Sequence, residues 1–130
     1  MARIENWNPP KLSIHTARYE WDVDYATKVH EGDVTASGGV YPARPWTDDA
    51  LSRLDLEREC KQAWNDTENL DEMFQEVGTV LFNEFHVSMA SDIWNWPKDT
   101  YRKSGEYVPA GPRNIIDLGE LYNAQTLEFE

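Results

Sequence analysis

Between Gln62 and Pro97 the sequence has no lysine or arginine, while Asp66, Glu68, Asp71, Glu72, Glu76, Glu84 and Asp92 all fall within that stretch. An uninterrupted one-signed block of this kind repels nucleic-acid phosphates, whose recognition needs clustered Lys and Arg. Cysteine is scarce as well: Cys60 stands alone, so no disulfide can form within the chain, and a reducing compartment suits it. No apolar run approaches the ~20 residues of a membrane span, and the N-terminus lacks the basic-then-apolar layout of a secretory signal. The expectation is a chain with no membrane partner that stays where it is made.

The residues of common catalytic and metal centres are also thinly or wrongly spread. His15, His30 and His86 lie far apart, and none has the H-x-x-x-H spacing that sets two imidazoles on one helix face for zinc. Ser88, Ser91 and Ser104 lack a G-x-S-x-G setting. Carboxylate pairs such as Asp22/Asp24, Asp48/Asp49 and Asp71/Glu72 are unremarkable among 24 acids, and acid–base work would need a cleft that separates their pKa values. The Gly-rich stretch from Glu31 to Pro42 has no phosphate-loop lysine. No enzyme activity, metal or cofactor is expected.

What is present is a foldable composition. Of 130 residues, 40% are apolar, with six Trp and six Tyr, which is enough for one domain with a modest core. The net charge is −12. Residues 1–11, with two consecutive prolines, read as an extended arm of that single 1–130 domain. From Leu12 to Val23 an alternation of period two, rich in β-formers, predicts a strand or two. Thr47 is expected to cap a first helix carrying Ala50, Leu51 and Leu54, with Asp48 and Asp49 complementing its dipole.

The polar segment Asn65–Asn69 predicts a break or a new cap. Beyond it, apolar residues recur every three or four positions from Leu70 to Trp94, predicting a long amphipathic helix that Pro97 ends. Gly78 within it would allow close packing against a sheet. A loop follows, then a final strand over Asn123–Phe129. The fold class read from this pattern is α+β, a small antiparallel sheet packed against one long helix and a shorter helix.

The 94–107 loop interleaves Trp94, Trp96, Tyr101 and Tyr107 with Lys98, Arg102 and Lys103. Such a mixture can stack single-stranded bases, but beside the acid block it favours protein docking, where Trp, Tyr and Arg are rigid anchors. Arg113 and Asp117, four residues apart, predict a local ion pair that fixes a turn. His30, beside Glu31 and Gly32, predicts a structural hydrogen bond at a sheet edge, and His86 a partly buried packing residue.

Two blocks go further. Pro112-Arg113-Asn114-Ile115-Ile116-Asp117-Leu118-Gly119-Glu120-Leu121 is one; the other is Tyr25-Ala26, then Val29-His30-Glu31-Gly32, then Ala43-Arg44-Pro45-Trp46. Together they resemble the tail-completion and head-tail-joining family of long-tailed bacteriophages. In that family pattern the Asp-x-Gly block precedes the Tyr-Ala block, so this chain resembles a circular permutation, opened between the strand after Leu121 and the strand before Tyr25. It departs from the pattern at Leu118, where Thr is usual, and at Ala124, where Ser is usual.

The resemblance implies a structural virion protein of the neck, a tail terminator or completion protein. It would form a homo-oligomeric ring, a hexamer, between the tail tube and the head connector or adaptor, through which DNA passes without specific binding. Its site residues would be interfacial: Trp94, Trp96, Tyr101, Arg102, Tyr107, Arg113, Asp117, Tyr25, His30, Arg44 and Trp46. Glu68, Asp71, Glu72 and Glu76 would approach the bore. The acidic balance alone leaves a second reading open, an inhibitor that mimics DNA by setting carboxylates where phosphates would sit.

Overall fold

The computed structural model describes residues 13–34, 38–116 and 119–130; the expected arm at 1–11, and Asp117 with Leu118, lie outside these. The fold is α+β, built around α4 (Leu70–Ala90), the longest helix. Asn69 starts it by accepting a hydrogen bond from the Glu72 amide at 3.0 Å, so the polar segment does act as a new cap, and Asp71 and Glu72 sit where the helix dipole favours negative charge. Glu68, with φ at 50°, reverses the chain between α3 (Leu56–Thr67) and α4.

Three helices form one layer. α2 (Trp46–Arg53) and α3 both lie along α4. They are separate helices because Asp55 accepts from the Arg58 amide and caps α3 anew, a start signal the sequence carries that the expected inventory of two helices passed over. The start of α2 also differs from expectation. Its N-cap is Pro45, without a side-chain cap, and Thr47 lies inside the first turn, where its hydroxyl meets His30 instead.

Among the described residues, strand pairing is distributed over four two-stranded antiparallel ladders. β1 (Ala17–Trp21) pairs with β8 (Gln125–Phe129), Ala17 opposite Phe129 and Trp21 opposite Gln125. β2 (Asp33–Val34) pairs with β3 (Val40–Tyr41), β4 (Trp94–Trp96) with β7 (Gly111–Arg113), and β5 (Thr100–Tyr101) with β6 (Tyr107–Val108). The first strand therefore begins at Ala17, later than the alternation suggested. Two short helices, α1 (Ala26–Glu31) and α5 (Glu120–Asn123), connect the ladders.

The β1–β8 ladder lies on α4. Tyr19 donates its hydroxyl to the Gly78 carbonyl at 2.8 Å, and the Phe129 ring lies so close that a Cβ on Gly78 would come within 2.7 Å of it. The core itself joins Phe85 and Met89 of α4 to Trp46, Ala50, Trp94, Ile115 and Leu121. Each of the large side chains contributes on the order of 1.5–3 kcal/mol by leaving water.

α4 ends at Ala90, before Pro97, because Ser91 turns to extended geometry with ψ at 139°. Trp94 nevertheless stays on the helical face's line of core contacts, donating its indole N–H to the Ser88 carbonyl at 2.8 Å. The apolar spacing thus runs on after the backbone has changed to strand.

Candidate functional site

The site forms where the two sequence blocks meet beyond the C-terminal end of α4. In the first block, Gly32 has φ at 79°, and a Cβ there would lie 2.7 Å from the Tyr41 carbonyl and 2.9 Å from the Ala43 nitrogen. Only glycine suits both demands, so residues 41–43 can fold back onto the end of α1. The Arg44 amide then donates to the Val29 carbonyl at 2.9 Å, and the Arg44 guanidinium lies over the Trp96 ring, 4.7 Å from its centre. Tyr41 flanks the same indole, with ring centres 5.8 Å apart.

The second block brings Arg113 to the same indole, 5.9 Å from the centre of the Trp96 ring. Arg113 is buried. It donates to the Thr100 hydroxyl at 2.6 Å and to the carbonyls of Lys98, Val108 and Pro109 at 3.0, 3.1 and 2.7 Å, gathering the 98–109 loop around one guanidinium. Arg102, the residue after β5, donates to the Asn114 side chain and backbone and to the Ile116 carbonyl.

Three arginines therefore share one neighbourhood in a strongly acidic chain. Burial, and after it the positive charges of Arg113 and Arg102, together lower the Arg44 pKa to about 10. Burial and Arg102 likewise lower Arg113, against a raising effect from Asp99. The Asp99 carboxylate is itself engaged, accepting from the Ala110 amide at 2.7 Å and the Tyr107 hydroxyl at 2.8 Å, which together hold it below the usual carboxylate range. The Arg44 guanidinium has no hydrogen bond or ion pair among the described residues, and the Nε atoms of Arg44 and Arg113 are both buried without a partner. These side chains, with Tyr41, Trp96 and Tyr101, line a cleft of about 370 Å³. Its chemistry is that of an anion site with aromatic walls.

The residues singled out from the sequence divide accordingly. Trp96, Tyr101, Arg102, Arg113 and Arg44 come together in the cleft; Tyr107 packs at a tilt against Tyr101 at its edge, with ring centres 5.3 Å apart. Trp46 and Trp94 are core residues, which removes them from any docking surface. Tyr25 sits in the neighbouring cavity, its hydroxyl 3.3 Å from Glu120. His30 is on α1 and not at a sheet edge: its ring lies between Glu31, at 2.8 Å, and Thr47, at 2.6 Å, and stacks edge-on against Trp46. His86 packs as expected, stacked on Tyr122 at 4.0 Å. Asp117 lies outside the described residues, and the Arg113 guanidinium is taken up by the loop carbonyls. Tyr41 was passed over, since nothing in a Gly-rich loop signals that its aromatic ring will reach Trp96.

The acidic set lies at the opposite end of α4. Glu68, Glu72 and Glu76 are exposed, but the Asp71 carboxylate accepts from the Ser13 and Ile14 amides at 2.7 and 3.1 Å. The Ile14 amide is the main cause of its lowered pKa. Glu76 and Asp66 line a small crevice between α3 and α4.

Compared with protein-family models, curated proteins and solved structures, the chain finds no match in any of the three.

Proposed function

We propose that this chain is a structural subunit of a phage neck, a tail terminator or completion protein that assembles into a six-membered ring joining the tail tube to the head connector. The observation that carries this reading is the meeting of the two blocks. Tyr25 and Glu120 are 95 residues apart in sequence, yet they touch, and Tyr25, Val29 and Arg44 line one cavity with Ile115, Gly119 and Leu121. Residues that resemble one family's two signatures, in reversed order, form a single unit in space.

The β1–β8 ladder supports the permuted order. Glu130 exchanges backbone hydrogen bonds with Thr16, at 2.8 and 2.9 Å, so the strand before Tyr25 and the strand after Leu121 lie side by side as an antiparallel pair. Permutation is tolerated at such a juncture because the buried contacts survive it. The outer edges of β1 and β8 carry no further strand among the described residues, which suits strand addition between subunits. Six copies at −12 each make a ring of −72, and a ring of that sign lets DNA pass without holding it.

The test is the mass of the purified protein by light scattering, with negative-stain images of any large species. A closed ring near six subunits supports the neck reading. A monomer at every concentration, with tight binding to a DNA-binding protein, would replace it with the DNA-mimic reading.

A further inference from the structure

The two ends of α4 carry opposite charge. At one end, Arg44, Arg102 and Arg113 crowd into the cleft, two of them with buried, unpartnered Nε atoms. At the other, Glu72 and Glu76 stand one helical turn apart, an arrangement that is mildly repulsive, with Asp66 beside Glu76 in the α3–α4 crevice. None of these three carboxylates has an ion pair among the described residues. At 1.5 Å per residue, Asp71 and Met89 are about 27 Å apart along the helix axis.

From this we infer that the arginine cleft receives the Glu72/Glu76 end of a second copy of this chain, so that subunits join head to tail through opposite charges. The inference rests on the ring reading and deepens it by naming the two surfaces that meet. A contact between different patches on identical subunits is heterologous, and it generates a ring if its rotation closes. Within one subunit the two patches are too far apart to meet, so only another copy brings them together. Entry of a carboxylate offsets both the burial of Arg44 and its repulsion from Arg113 and Arg102, while the exposed rings of Tyr41 and Tyr101 offer apolar surface for the incoming chain to cover. This places Glu72 and Glu76 in the joint between subunits and leaves the bore to other acidic groups.

The experiment compares sedimentation of the wild-type chain, Arg44→Glu, and the double variant Glu72→Lys/Glu76→Lys, each checked for fold by circular dichroism. Each reversal is expected to weaken self-association about 30-fold or more. Mixing the two variants is expected to restore it in part, because each contact between unlike chains then sets either position 44 reversed against positions 72 and 76 reversed, or the native cleft against the native acidic end. Raising the salt from 0.05 to about 0.5 M should weaken the wild-type assembly. Arg44→Gln serves if Arg44→Glu does not fold, and the acidic-end variants change only exposed residues.

If the wild type assembles and both reversed variants assemble equally well, the inference is overturned and the ring reading stands. Charge-sensitive assembly into dimers or open chains keeps the inference and removes the closed ring. A wild type that stays monomeric, with no association in the mixture, overturns the inference as well.

Discussion

Ser88 donates its hydroxyl to the Asp49 carboxylate at 2.6 Å, at the point where α2 lies against α4, and Arg53 donates to that same hydroxyl at 2.5 Å. Arg53 also pairs with Asp49 and, at 2.6 Å, with Glu84. Ser88 is fully buried, so its hydroxyl is the inner member of a network whose outer members reach water. Ser88→Ala should cost about 1.5–3 kcal/mol, because the hydroxyl's bonds to the charged Asp49 and Arg53 are both lost. Urea unfolding reads the cost directly, and an unchanged midpoint would show that Arg53 alone joins the helices.

Gly78 and Phe129 give a prediction in which two effects compete. Alanine in a helix interior gains up to about 1 kcal/mol over glycine, whereas overpacking costs roughly 1–3 kcal/mol. With the Phe129 ring 2.7 Å from the new Cβ, the packing loss should win, and Gly78→Ala should destabilise the chain by about 1 kcal/mol. In a Phe129→Ala background the sign should reverse. If Gly78→Ala acts identically in both backgrounds, the ring is not what makes this position glycine.

Asp71 supplies a pH dependence. Its folded pKa lies below the ordinary value of about 3.9, so its contribution is fully present above that pH and disappears as pH falls through the lower folded value. Asp71→Asn should therefore melt below the wild type at pH 7, the gap closing as the pH is taken down towards 2. A gap that persists at the lowest pH would assign the effect to amide geometry and not to charge.

Arg113 is the residue around which the 98–109 loop is arranged. Lysine keeps the charge but loses the planar fork that serves four acceptors at once, so Arg113→Lys should cost about 2–3 kcal/mol. Hydrogen exchange should rise first in that loop. Uniform loss of protection across α4 would mean that Arg113 supports the whole core.

The α+β class and most of α4 were legible in the sequence because helical spacing is a strong signal when it lasts, and the Asn69 cap announces itself. The helix end was not, since Trp94 keeps its place against Ser88 through a hydrogen bond that spacing cannot reveal. The ladders of two and three residues are too short to produce an alternation, so the β5–β6 pair was hidden in what read as a loop and β4 in what read as the end of the long helix. The aromatic and basic composition of that loop was visible. Its convergence with Arg44 depends on the positive φ of Gly32 and on contacts between distant segments.

The pairing of β1 with β8 also sets a schedule for the newborn chain. Trp21 and its partner Gln125 are 104 positions apart, so at roughly 5–20 residues per second β1 emerges about 5–20 s before its partner is made. During that interval a strand bearing Tyr19 and Trp21 has both edges bare. The flanking Arg18 and Glu20, one of each sign, then stand as the guard against premature association with a neighbouring nascent chain.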